Sequence, residues 1–140
     1  MSKSKIVFLS GRLAAEARDF LQRLLEEEGW GEVQTSYGDV LVWLYERDGL
    51  SVTELARRSH RTKSTVSVLV DRLVGLGLVE KRASESDARA VGVWLTARGL
   101  AFRDVMERVS ARLNERVLEG FSEQEQSELE RLLSKALGNL

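Results

Sequence analysis

Residues 51–96 read SVTELARRSHRTKSTVSVLVDRLVGLGLVEKRASESDARAVGVWLT, and this stretch decides the fold. It opens on Ser51-Val-Thr-Glu54, a capping box in which the serine hydroxyl accepts from the Glu54 backbone N–H while the carboxylate reaches back. A short helix therefore starts near Val52, with Leu55 and Ala56 inward and Arg57 and Arg58 outward. Ser59-His-Arg-Thr62 interrupts it, and Thr62 caps a second helix over about Lys63 to Val74. Val66, Leu69, Val70 and Leu73 follow the i, i+3, i+4, i+7 spacing of a buried stripe. Two helices joined by a tight polar turn can set the second in a DNA major groove.

The outer surface of that second helix is unusual. Lys63 stands at its N-terminal end, and Ser64, Thr65, Ser67, Val68 and Arg72 lie off the buried stripe. Small side chains let a helix backbone approach base edges, and hydroxyls donate or accept toward bases and phosphates. A merely solvated face would also hold Ser and Thr, but they are mediocre helix formers, and their density here suggests another requirement.

Gly75-Leu-Gly77 ends the helix, and Leu78 to Arg82 reads as a short strand. Val91, Val93 and Leu95 alternate with Gly92 and Trp94, the period of a second, half-buried strand. The ASESDAR link is small, polar and charged, as a projecting hairpin loop should be. The hairpin forms a wing beside the helix pair, and Arg89 and Arg82, on either side of the loop, are its candidate cations.

Helical arms flank this unit. A helix from about Ser10 to Glu28 carries Leu13, Ala17, Phe20, Leu21 and Leu24 on one face, and Gly29 and Gly31 end it around Trp30. A helix from about Gln34 to Arg47 turns Tyr37, Val40, Leu41 and Leu44 inward, closed by Asp48-Gly49. After the wing, Thr96 caps a long helix with Leu100, Val105, Met106, Val109, Leu113 and Val117. Gly120 breaks it, and a second capping box, Ser122 to Glu125, opens a final helix bearing Leu129, Leu132, Leu133, Ala136 and Leu137. The stripes Phe20, Leu21, Leu24, then Leu113, Val117, then Leu129, Leu132, Leu133, Leu137 exceed what a compact winged helix can cover. They predict an obligate homodimer with a permanent, hydrophobic interface, although part of the stripe can cover its own subunit.

The 140 residues fit one compact domain with helical extensions. Net charge is −1, but its distribution is uneven. Residues 51–98 hold nine Lys/Arg against five Asp/Glu, whereas the remainder holds 12 against 17. A basic centre between acidic arms suits a polyanion met on one face only. The sequence has no Cys, a single His in a turn, no Gly-rich phosphate loop and no metal-ligand cluster. These features argue against an enzyme, a cofactor and a metal. The apolar run Ile6 to Leu9 is too short for a secretory signal, and no run approaches a membrane span. A soluble, cytoplasmic protein is expected.

Taken in order, ELA at Glu54 to Ala56, STVSVLVDRL at Ser64 to Leu73, GLGLVEKR at Gly75 to Arg82 and SDARAVGVWLTARG at Ser86 to Gly99 resemble the MarR family of bacterial transcription regulators. Each piece alone is weak; their order and spacing between helical arms cover nearly the whole chain. The resemblance implies a mainly α fold with a small β-hairpin wing: an N-terminal dimerisation helix over 1–32, a winged helix-turn-helix over 33–98 and C-terminal dimerisation helices over 99–140. It implies a homodimer whose terminal helices intertwine, each subunit presenting a winged helix to half of a pseudo-palindromic operator in double-stranded DNA. Family members typically repress genes and release DNA on binding small aromatic or anionic molecules, or on cysteine oxidation. Asp87 and Arg89 match the family's Asp-x-Arg wing signature, a pair associated with orienting the wing. Val68 departs from the polar residue many members use there to read a base, and the missing Cys removes the oxidation-sensing branch.

The DNA-facing candidates are thus Ser51, Thr62, Lys63, Ser64, Thr65, Ser67, Val68, Arg72, Arg82, Asp87 and Arg89. Phe20, Tyr37 and Trp43 are the aromatic candidates for an effector site, each weighed against an ordinary core role. The competing function is a winged helix used as a protein-interaction module without operator binding.

Overall fold

The computed structural model describes residues 3–83 and 91–140. Its elements are α1 (Ile6–Glu27), a 3-10 turn (Thr35–Tyr37), α2 (Gly38–Glu46), β1 (Leu50–Ser51), α3 (Val52–Ser59), α4 (Lys63–Gly75), β2 (Val79–Ala83), β3 (Val91–Leu95), α5 (Ala97–Val117) and α6 (Glu123–Leu137).

The helix starts are set by local chemistry that the sequence announces. Ser51 Oγ accepts from the Glu54 N–H at 3.1 Å, while the Ser51 N–H donates to Glu54 Oε1. Ser122 and Glu125 repeat the arrangement at α6. Thr62 and Thr96 cap α4 and α5 by accepting from the N–H of Thr65 and Gly99. Each satisfies amide donors that a helix start leaves orphaned. His60, the only described non-glycine residue at positive φ, closes α3 in the left-handed region.

One apolar core runs through the chain. Leu24 and Leu25 of α1, Val40, Leu41 and Leu44 of α2, Leu55 of α3, and Val66, Val70 and Leu73 of α4 are all buried. Val79 and Val93 of the sheet and Phe102, Val105 and Val109 of α5 complete it. The inward stripe expected on α4 is thus the observed one. Trp30 packs on Phe102 with ring centroids 4.7 Å apart. Glu28 and Arg108 clip α1 to α5 bidentately, at 2.8 and 3.2 Å, and the guanidinium lowers the Glu28 pKa.

Several expectations need correction. The wing is not a lone hairpin: β1 pairs antiparallel with β3 (Leu50 with Val93), giving a three-stranded sheet of order β1-β3-β2. Asp48 reinforces this edge, since its carboxylate accepts from the Leu95 N–H at 2.9 Å. The first helix begins at Ile6, not near Ser10, and a 3-10 turn precedes α2 where one continuous helix was expected. On α5, Leu100 is exposed and Phe102 takes the core position. Leu24, assigned to the dimer stripe, is only 2% exposed within its own subunit, because the C-terminal end of α1 is where that helix meets α5.

Candidate nucleic-acid interface

With its apolar stripe buried, α4 turns a narrow polar surface outward. Thr62, Lys63, Ser64 and Thr65 are exposed, Ser67 is half-buried, and Arg72 is exposed one face further along. The first hydroxyls form a cluster: Thr62 Oγ1 lies 3.2 Å from Ser64 Oγ and donates to Thr65 Oγ1 at 2.9 Å. Val68 is 50% exposed in their midst, an apolar residue with no core role. Such a surface offers a cation and small hydroxyls at a helix N-terminus, with one methyl-bearing side chain behind them. These are the groups that meet phosphates, base edges and a thymine methyl.

Neighbouring elements fix the helix in place. Lys81 of β2 reaches Asp71 of α4 at 2.6 Å, tying the wing to the outer face of the helix. Arg61, in the turn before α4, pairs with Asp39 of α2 at 2.6 Å. Arg82 lies on β2 beside the wing loop, paired with Glu80 and stacked over Trp94. Lys63 and Arg72 have no acidic partner among the described residues, so their charge is not balanced locally there.

Most of the sequence candidates therefore lie along α4 and its N-cap, and Arg82 lies on β2. Asp87 and Arg89 lie outside the described residues. Ser51 differs from the rest: its hydroxyl is engaged in the α3 cap and half-buried. The aromatic effector candidates are not brought together. Phe20 borders a groove between α1 and α5, Tyr37 is buried in the core, and Trp43 is half-buried against the core under the Arg58 guanidinium. The sequence reading missed the carboxylates that hold the interface cations, Asp39, Asp71 and Glu80. Only Glu80, two residues from Arg82 on one strand face, was visible from spacing.

A family model described as the MarR family matches residues 33–90. The chain is 35% identical over 92 residues to the HTH-type transcriptional repressor Rv2887 of Mycobacterium tuberculosis, a stretch covering 66% of each protein. The chain belongs to the MarR family of transcriptional regulators. About a third of that repressor's length lies outside the match. The MarR fold extends over the rest of the chain. A MarR protein from Peptoclostridium difficile superposes with a TM-score of 0.88 over 99% of this chain and 89% of its own, at 21% identity. Staphylococcus aureus MepR, solved as a DNA complex, gives a TM-score of 0.85 over 96% and 97% at 24% identity. Among described residues no helix of this MarR chain is long and apolar enough to cross a membrane.

Proposed function

We propose that this protein is a homodimeric repressor that binds a pseudo-palindromic operator in double-stranded DNA. The observation that carries the reading is the exposed N-terminal face of α4, Lys63, Ser64 and Thr65, with Val68 behind it. In this reading α4 enters the major groove, and the wing grips the flanking backbone or minor groove. Thr62, Ser67 and Arg72 add contacts along the helix; Arg89 and Asp87 act in the wing loop. MepR's solution as a DNA complex on the same fold supports the assignment.

Dimerisation is supported by the arms. Ile6, Val7, Phe8 and Leu9 are each more than half exposed at the start of α1. The final helix α6 buries none of its residues and leaves Leu132, Leu133 and Leu137 exposed. These surfaces, with Leu129, Leu113, Val117, Phe20 and Leu21, are partly or wholly uncovered in a single chain and complement a second copy. The arms, 1–32 and 99–140, pair; residues 33–98 read DNA.

An effector site fits the groove between α2 and α5, a cavity of about 390 Å³ bordered by Val42, Tyr45, Met106 and Arg103. Arg103 is already paired with Glu107 at 3.3 Å, and Glu46 adds a second carboxylate to the border, so the apolar walls decide: a small aromatic compound is the class proposed, probed with aromatic carboxylates. The test is a gel-shift against DNA upstream of the protein's own gene, without and with such carboxylates. A single retarded species of dimer stoichiometry, insensitive to excess unrelated DNA, is expected. No sequence-selective retardation would reject the reading.

A further inference from the structure

Trp94 has no role in the reading above, yet it sits in a prepared position. On the outward face of the sheet it stands across from Glu80, and Gly92 stands across from Arg82. The ring rests on backbone that only glycine leaves bare. A Cβ at Gly49 would come 2.5 Å from Trp94 Cζ2, and one at Gly92 would come 2.9 Å from Nε1. With no side chain at Gly92, Arg82 has room to lean across, and its guanidinium carbon lies 5.0 Å from the Trp94 ring centroid. Its Nε donates to Glu80 Oε1 at 2.7 Å.

A ring face and a carboxylate edge thus restrain one guanidinium near the end of β2. An exposed arginine loses rotamer freedom when it grips a phosphate. A guanidinium already held against a ring loses less, and arginine carries five N–H donors, more than Glu80 engages. We propose that Trp94 is a positioning residue for DNA binding, holding Arg82 in place for a backbone phosphate. The inference rests on the operator-binding reading.

The test is a double-mutant cycle in the full chain, read by anisotropy with a duplex that the parent protein selects from a random-sequence library. Trp94→Leu weakens binding about two- to five-fold, the range of an exposed cation–π contact. Trp94→Phe keeps a π face and stays within about two-fold of the parent. In the Arg82→Ala background Trp94→Leu adds nothing, since no guanidinium is left to hold. Parent-like binding by Trp94→Leu, or an equal loss with and without Arg82, overturns the proposal. A measurement without any Trp94 variant guards against misfolding: Arg82→Ala shifts the Trp94 indole N–H resonance while those of Trp30 and Trp43 stay. An unmoved Trp94 resonance also overturns it. A parent that selects no DNA rejects operator binding itself, which separates the two failures.

Discussion

The Tyr45 hydroxyl donates to the Gly99 carbonyl at 2.7 Å, joining α2 to the first turn of α5. The phenol is half-buried, and burial raises its pKa above the usual tyrosine value, because a phenolate there would be poorly solvated and could not donate. Tyr45→Phe should lower folding stability by about 1 kcal/mol, the net worth of a typical hydrogen bond. Above about pH 10 the unfolded tyrosine loses a proton that the folded one keeps, so stability falls as pH rises. Urea midpoints of the two proteins at neutral pH and near pH 11, about one unit above the unfolded tyrosine value, check this. The alkaline loss should shrink in Tyr45→Phe, and identical losses would refute it.

The same glycine permits a second contact. A Cβ at Gly99 would lie 2.0 Å from the Leu78 carbonyl oxygen, a backbone atom that cannot swing aside. Gly99→Ala must therefore displace α5 from the sheet, at a cost of about 1–3 kcal/mol or more. A parent-like denaturation midpoint would mean that α5 and the start of β2 are not so closely seated.

Lys63 and Val68 are both exposed on α4 but should fail differently. Lys63→Ala removes a phosphate contact, so all duplexes bind more weakly and the slope of log K against log salt flattens by about one. Val68→Ala leaves the slope alone and relaxes preference at a single thymine, a loss of about 1–3 kcal/mol at most. Swapped behaviour would put Val68, not Lys63, next to the backbone.

Two leucines separate folding from assembly. Leu24 is core, and Leu24→Ala should cost about 2–5 kcal/mol of folding stability. Leu137 is 70% exposed on α6, and Leu137→Glu should leave helical content intact while shifting sedimentation toward monomer. A dimer of unchanged affinity would remove α6 from the interface.

What the sequence disclosed was mostly local. Both capping boxes, the Thr62 and Thr96 caps and the α4 stripe involve residues within a few positions of each other, and all are present. Long-range facts were hidden. The two residues of β1 pair with β3 more than forty positions away, and nothing in Leu50-Ser51 names that partner. The outward side of α4 was legible because its buried side was. Leu24 was misassigned because an amphipathic stripe says that a face is covered, not which chain covers it. Arg82's restraint escaped notice because it needs Gly49, Gly92 and Trp94 together.

The unbroken core has a mechanical consequence. Val109 on α5 and Val66 on α4 belong to one cluster of buried residues among those described. Close-packed interiors transmit strain instead of absorbing it. In the dimer proposed above, each subunit would then act as a stiff lever pivoting where the arms meet, and a small tilt at the pivot would become a larger displacement of its winged helix. Switching such a dimer off would need only a change in the span between its two winged helices, with each of them left intact.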